Sequence, residues 1–467
     1  MRKLNLNVQS KDIEFLRLEE INYVRNKINN RKVLIWGAWD KGKIIYNQLN
    51  QLGIQVYGFI DNGNKKSYCN SKVYSEKILY NNKNKYYIFL SIIHHDTVLE
   101  KLNDMGYQDS KDYYYFFQKS SEICYAINYM DFKNNIIEGK IENFKVVFFG
   151  INSKLKIGRN NFINKYAKIS LRENSYAEIS DKVIVNSKAH MEVYDGSSIY
   201  IEKNAIIGEE VKIIAKENSC IIIKENCKIQ PYTIIEVSDN SKLVFDSECK
   251  IGKNVDIKVH NKSIISIDSN SEIANECNMY CIDQSEIMID KNVKVYLRGI
   301  IRCGDFGKII IGDSCILDEY CNIQAAGKLS IGEKTTFSHN VDIRVANNTN
   351  ISFGMDCMIS YYVTIRSDDG HSIYDMKNEI KKENNKKSNN IIIEDSVWIG
   401  MNSSILYNTK IGKGSIVGSN SVVKNEYENN CIIAGNPAKV IQMNIAWSRD
   451  NKMTYKEYYD KIESNKL

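Results

Sequence analysis

Histidine is scarce in this chain, six among 467 residues, and one of the six stands where a strict repeat is interrupted. His371 lies in the run Asp368-Asp369-Gly370-His371-Ser372-Ile373-Tyr374-Asp375. An imidazole changes charge near neutral pH and is the side chain best suited to moving protons there. Asp368, Asp369 and Asp375 are near enough in sequence to orient its ring. A second chemical feature is a pair of arginines, Arg344 and Arg366, each directly following an isoleucine of the repeat. They therefore take the same outward slot of adjacent coils, with backbones about 4.8 Å apart. Stacked like charges need an offset. An anionic ligand such as a uronate, sialate or sugar phosphate would supply one, since guanidinium suits planar oxyanions, and so would Asp342 or Asp368. Metal chemistry is not expected: the twelve cysteines include no C-x-x-C pair, Cys277 and Cys281 being the nearest two.

The repeat that positions these residues is a frame of apolar side chains. Ile157, Ile179, Ile201, Ile223, Phe245, Ile267, Ile289, Ile311, Ile331 and Phe353 are separated by 22 residues, except for 20 between Ile311 and Ile331. Within a coil the apolar residue returns every six positions, as in Ile201, Ile207 and Ile213. Each coil is thus three short strands plus a small outward loop, stacked in parallel on the next. Two residues before a frame position the chain needs a small interior residue, which places Cys227, Cys249, Cys277, Cys315, Cys321 and Cys357 in the core. One residue after it, glycine recurs at Gly158, Gly208, Gly252, Gly312, Gly332, Gly354, Gly400, Gly412 and Gly418, where positive φ is expected. After Ile365 the frame is lost until Ile393, and His371 sits in that excess segment. It then tightens to strict hexapeptides from Ile393 to Val423.

The N-terminal third has a different pattern. Strands at Val33–Gly37, Val56–Ile60 and Tyr87–Ser91 alternate with helical segments, which predicts a parallel α/β domain over 30–118. The turn after the first strand could hold phosphate, and Asp61 falls where a ribose-binding carboxylate would lie, but Trp39 replaces the middle glycine of the dinucleotide fingerprint. The remaining divisions are a helical segment at 1–29, a linker at 119–150, the solenoid at 151–441 with a catalytic loop at 366–390, and a C-terminal helical tail at 442–467. Net charge is +6 on 63 basic and 57 acidic residues, too small an excess to imply nucleic acid. The start Met1-Arg2-Lys3 runs into polar sequence, and no apolar run reaches the length of a membrane span. A reducing, cytoplasmic location is expected.

The run Asp369-Gly370-His371-Ser372-Ile373, the long loop, Val397-Trp398-Ile399-Gly400 and the closing Ala434-Gly435-Asn436-Pro437-Ala438-Lys439-Val440-Ile441 occur in that order. Over about residues 350 to 442 the chain resembles the hexapeptide-repeat acetyltransferases, in the branch that modifies sugars and capsular polysaccharides. The N-terminal α/β unit also looks like domains joined to some sugar acyltransferases. The resemblance implies a left-handed parallel β-helix with 22-residue and then 18-residue coils behind the α/β domain. It further implies acetyl-CoA as co-substrate, no metal, a sugar or polysaccharide acceptor and a homotrimer with sites between subunits. By the same resemblance His371 is the general base, with Asp369 beside it, and Trp398 faces the thioester sulfur. Gly400 and Met401 offer backbone N–H groups, and Ser419, Lys424 and Lys439 hold the pantetheine arm and CoA phosphates. Relatives often carry Thr-Lys after Ser-Val-Val, where this chain has Lys424-Asn425. His339, two residues after Phe337 in the coil before the break, joins Arg344 and Arg366 as an acceptor contact. Two other readings stay open: an N-acyltransferase on an amino-sugar nucleotide held by the α/β domain, and a non-catalytic β-helix that binds glycan.

Overall fold

A computed structural model describes residues 27–457 apart from 52, 64, 92–95, 109–111, 116–120, 131–134, 150–151, 372, 378–379, 383–388 and 451. The helical segment expected at 1–29 and the residues His94 and His95 therefore lie almost wholly outside the described residues. The chain forms two compact units, residues 1–182 with 190–197, and residues 183–189 with 198–467.

In the first unit, a six-stranded sheet runs in the order Ser67–Tyr68, Ser71–Tyr74, Val56–Ile60, Lys32–Trp36, Tyr86–Leu90, Tyr113–Tyr115. All its pairings are parallel except that of the first two strands. Alternate residues of the central strands feed two cores. Val33, Ile35, Phe59 and Phe89 pack with Ile45 and Leu49, while Leu34, Ile60, Ile88 and Leu90 pack with Leu79 and Leu102. A sheet buried on both faces accounts for the continuous apolar runs in the sequence. Asp61 does not present a free carboxylate at the sheet edge: its oxygens accept from Ala38 N–H at 2.9 Å and Gly63 N–H at 2.7 Å, which staples two loops together.

The segment expected as a linker, 119–150, is instead a long antiparallel pair, Ser121–Met130 with Ile136–Phe148. Ile137, Ile141, Phe144, Val146 and Phe148 of the second strand are buried. Their uneven spacing, with a positive-φ glycine at Gly139, breaks the six-residue frame, so a periodicity search misses the strand. Lys145–Phe148 already pairs in parallel with Lys168–Leu171, so coil stacking starts ahead of residue 151.

The second unit is a parallel β-helix, of the left-handed class, with three faces per coil. The first face stacks Ser198–Ile201, Cys220–Ile223 and their successors to Asn350–Phe353 and Ile391–Ile393. Two-residue strands such as Ile206–Ile207, Met358–Ile359 and Trp398–Ile399 form the second. The third runs from Lys212–Ala215 through Asp342–Val345 and Thr364–Arg366 to the first residues of Ser404–Ile411. Frame isoleucines point inward on every face: Ile201, Ile207, Ile213 and Ile223 are 1% exposed or less. Register is exact from coil to coil because a one-residue slip would turn this whole apolar set outward.

The glycines that follow frame residues do not have positive φ. Left-handed backbone falls two residues later, at Asn204, Asn226, Asn270, Asn292, Asn402 and Asn420 among others. Asparagine tolerates that conformation, and its amide also bonds its counterpart in the next coil, as from Asn204 to Asn226 at 3.0 Å. Glycine is required for a different reason: the neighbouring coil passes directly over the Cα. A Cβ on Gly332 would meet the backbone of Gly354 at 2.5 Å.

The coil lengths are set at one corner, between the third and first faces. Four-residue turns such as Gly304–Gly307 make 22-residue coils, and the two-residue Ala326-Gly327 makes the 20-residue one. From Ile393 the coils shorten to 18 because Ser404–Ile411 runs through that corner as one strand, with a register shift between Ile405 and Thr409. At the other end, the expected helical tail begins as a strand, Ala438–Met443, antiparallel to Cys431–Gly435. Helix appears only at 455–457 among the described residues of that tail. None of the described helices is long and apolar enough to cross a membrane.

The six cysteines assigned to interior corners are all buried. Burial pushes the thiols of Cys277 and Cys357 up to about 11 and those of Cys315 and Cys321 up to about 12. A raised pKa removes the reactive thiolate at mild pH. With nine described cysteines buried and Cys69 and Cys220 half-buried, a disulfide reagent at pH 8 should modify at most three of the twelve thiols in native protein. Denaturant should release the other nine; rapid native modification of more than three would contradict this packing.

Candidate active site

The loop that carries His371 is a grossly enlarged version of the corner that sets coil length. Residues 367–390 replace a four-residue turn, and both ends of the loop are tied to the preceding coil. Ser367, fully buried, accepts from Ala346 N–H at 2.8 Å and meets Thr349 Oγ1 at 2.6 Å. Asn390 Oδ1 accepts from Asn350 N–H at 3.0 Å. Beyond this stem a short antiparallel pair, Ile373–Asp375 with Ile380–Lys382, extends outward. Asp375 closes its turn by accepting from Lys377 N–H at 2.9 Å. His371 stands between stem and hairpin, exposed, after Gly370 in the left-handed region. Asp368 and Asp369 are exposed beside it, and no described residue hydrogen-bonds the His371 ring.

Trp398 occupies an outward position of the second face, since its neighbour Ile399 points inward. Its indole N–H donates to Ser360 Oγ at 3.2 Å, one coil back. The ring also packs against Trp447, centroids 5.9 Å apart. Trp447 belongs to the C-terminal stretch that returns across this face, held by its own N–H on Ser396 O at 2.7 Å. Arg449 fastens the same stretch through Asp356 Oδ1 at 2.9 Å, Thr336 Oγ1 at 2.9 Å and Cys357 O at 2.7 Å. The sequence pattern does not single out Ser360, Trp447 or Arg449. A tryptophan in an otherwise polar tail is the one signal that points toward them.

The corner between the second and third faces gathers other expected residues. His339, Tyr361, Met401 and Ser419 occupy equivalent corner positions, as the bonds Tyr362 N–H to His339 O, Asn402 N–H to Tyr361 O and Asn420 N–H to Met401 O establish. His339 Nδ1 lies 3.2 Å from Asp318 Oδ2, off the line of a hydrogen bond, and its ring is 5.4 Å from that of Tyr361. Gly400 N–H is committed to Val417 O at 2.8 Å and is not available to a ligand. Its role is close approach, since a Cβ there would meet Ser419 N and Val417 O at 2.7 Å. The N–H of Met401, by contrast, makes no hydrogen bond to any described residue.

Arg344 and Arg366 are in register on the third face, as their spacing requires. Both reach Asp342 Oδ2, at 3.3 Å and 3.1 Å, so a single carboxylate serves two guanidinium groups. Lys424, at the far end of that face, lies over the Tyr407 ring at 4.0 Å. Lys439 is exposed on the final antiparallel strand opposite Ala434. The structure therefore brings Met401 and Ser419 together at one corner and the two arginines together on one face. Among the described residues it shows no contact between His371 and Trp398. The loop leaves at the corner opposite the second face in a three-sided section, whereas Trp398 projects from that face.

Residues 390–425 match the family model described as bacterial transferase hexapeptide (six repeats). Among curated proteins, the polysialic acid O-acetyltransferase of Escherichia coli O1:K1 is 36% identical over 125 residues, 27% of this chain and 39% of the relative. The chain thus spans well under half of that relative's length. A putative lipopolysaccharide biosynthesis O-acetyl transferase of Escherichia coli K12, WbbJ, is 30% identical over 148 residues, covering 26% of this chain and 75% of the relative. The solved structure of the polysialic acid O-acetyltransferase OatWY is 22% identical, covers 67% of this chain and 98% of that one, and superposes with a TM-score of 0.29.

Proposed function

Because the chain belongs to the bacterial hexapeptide-repeat acetyltransferase family, we propose that it transfers an acetyl group from acetyl-CoA to a hydroxyl of a polysaccharide or of its sugar precursor. The observation that carries this reading is the one enlarged corner of an otherwise regular solenoid, which presents His371 one coil step before Trp398. The names of the relatives, polysialic acid and lipopolysaccharide O-acetyltransferases, support a carbohydrate acceptor.

The donor supplies an acyl group activated as a thioester. A sugar hydroxyl is a weak nucleophile near neutral pH, and His371 takes its proton during attack, then returns that proton to the departing thiolate. Asp369, exposed two residues before His371, is the carboxylate we assign to orient the imidazole once the acceptor is bound. Met401 N–H is the donor placed to stabilise negative charge on the carbonyl oxygen. Trp398 N–H exchanges Ser360 Oγ for the sulfur as charge builds there. Ser419, Lys424 and Lys439 lie along the pantetheine and phosphate path, and Arg344, Arg366 and His339 contact the acceptor. Incubation with acetyl-CoA and a panel of oligosaccharides and nucleotide sugars, read by mass, tests the assignment. Release of CoA without an acetylated product from any of them would overturn it.

The separation of His371 from Trp398 within one chain supports a site completed by a second copy. A ring of three subunits with head-to-tail interfaces places the loop of one against the second face of its neighbour. Mixing His371→Ala and Trp398→Ala proteins after dissociation and reassembly should recover activity that neither has alone. Light scattering should give a mass three times 53.8 kDa. An active monomer at assay concentration would exclude the shared site.

A further inference from the structure

Several charges on the solenoid surface are matched one to one between neighbouring coils. Lys203 pairs with Glu225, Lys224 with Asp246, Lys308 with Glu286 and Arg298 with Glu276, all within 2.8 Å. One column gathers cations that share few carboxylates. On the third face Lys258, Tyr280, Arg302, Gln324, Arg344 and Arg366 stand in register on six successive coils. They point outward, since the isoleucines and methionine preceding them, Ile257, Met279, Ile301, Ile323, Ile343 and Ile365, are buried. At about 4.8 Å per coil the column spans roughly 24 Å.

The parallel outward column of the same face carries Asp256, Asn278, Ile300, Asn322, Asp342 and Thr364, so four cations face two carboxylates. Asp256 is consumed by Lys258, at 2.9 Å, and by the Tyr280 hydroxyl, at 2.8 Å. Asp342 serves both Arg344 and Arg366, each still nearly half exposed. It also accepts from Asn322 Nδ2 at 2.7 Å, and Asn322 Oδ1 in turn accepts from Gln324 Nε2. Arg302 has no carboxylate partner among the described residues. Its guanidinium lies 5.2 Å from the centroid of the Tyr280 ring, which holds it in place without neutralising it. The uncompensated charge thus sits at Arg302 and at the Arg344–Arg366 pair. The column ends at the residue from which the loop of His371 departs.

We propose that this column is an extended binding surface for a linear glycan bearing a repeated oxyanion, gripped at successive residues by Arg366, Arg344 and Arg302 and so led toward the His371 loop. The proposal rests on the sugar acetyl-transfer reading, and it adds a polymeric, anionic acceptor and the three upstream coils that would recognise it. Tyr280 acts as a positioning residue for Arg302. Carboxylate and phosphate share the required chemistry.

Direct binding separates this idea from the catalytic one. Oligomers of two, four and eight sialic acid residues, and a sugar-phosphate polymer of matched lengths, are titrated calorimetrically into the full chain and into its His371→Ala variant, without acetyl-CoA. Affinity should rise with length in at least one series, and that series identifies carboxylate or phosphate as the ligand group. Arg302→Ala should weaken the octamer about fivefold and leave the dimer unchanged, Arg302→Lys should restore part of the loss, and Tyr280→Leu should resemble Arg302→Ala. Raising salt should flatten the dependence on length. Affinity independent of length in both series, or equal losses for dimer and octamer in Arg302→Ala, would overturn the proposal. Length-dependent binding by a protein that acetylates no acceptor would instead uphold this surface and reject the acetyl-transfer reading.

Discussion

Replacing His371 with alanine should lower turnover by about 100- to 10,000-fold, the usual range for loss of a general base, while leaving affinity for acetyl-CoA nearly unchanged. The second half of that expectation follows from the division of roles. In the proposed ring of three subunits, the loop of one copy meets Trp398, Met401 and Ser419 of its neighbour, and those residues are the ones assigned to the donor. His371 acts on the acceptor hydroxyl and is not among the groups that hold acetyl-CoA. Losses confined to kcat, with donor binding intact by calorimetry, would match this arrangement. Retention of more than about a tenth of wild-type turnover, far above the range cited, would remove His371 from the mechanism. The substitution should not unfold the protein, because the side chain is exposed and the loop is fixed at its stem by Ser367 and Asn390.

Gly354→Ala is expected to damage both fold and activity, although Gly354 touches no proposed substrate. It lies in the coil step that spans the extruded loop, where Phe353 pairs with Ile393 forty residues on. A Cβ there would press on Asp395, meeting its backbone nitrogen at 2.5 Å, and would lie 2.7 Å from the carbonyl carbon of Glu394. Neither is a flexible side-chain end that can swing aside, so the two coils must part. Overpacking of this kind costs about 1–3 kcal/mol. Asp395 begins the turn that leads into Trp398, so the displacement is passed to the proposed donor site, where an error of about 1 Å costs on the order of 100-fold in rate. Thermal unfolding and steady-state kinetics should therefore decline together. A variant as stable and active as the parent would mean the coil step is looser than its geometry indicates.

Sequence is most informative where one physical constraint acts alone. Inward isoleucines must recur every six residues because each strand stacks on its own equivalent, so spacing alone puts Ile201, Ile207 and Ile213 in the core, where all three are buried. The interior cysteines follow from the same argument. Inference weakens where two constraints select one residue type. Glycine serves both positive φ and close approach, and recurrence alone does not distinguish them; Gly332 and Gly400 answer to the second, and asparagines carry the first. The strand Ile136–Phe148 is invisible to a periodicity argument because its buried residues, Ile137, Ile141, Phe144, Val146, Val147 and Phe148, keep no six-residue spacing. At the candidate site, the break in the frame isolates His371, and the 22-residue spacing puts Arg344 beside Arg366. Ser360, Trp447 and Arg449 escape such reasoning, since contacts across a face depend on where a tail folds back and not on the local pattern.

The single corner that sets coil length has an evolutionary implication. Every complete coil begins and ends in the same register, and each touches only the coils before and after it. A tandem duplication of 22 codons would insert one more rung without disturbing hydrogen bonding on either side, and an in-frame deletion would remove one as cleanly. Coil length varies in this chain between the third and first faces, where the loop of His371 also stands, so insertions of other sizes should be accommodated best at that corner. Selection can therefore lengthen the charged face or rebuild the loop independently, and proteins of this architecture should differ from one another by whole rungs and by that one loop.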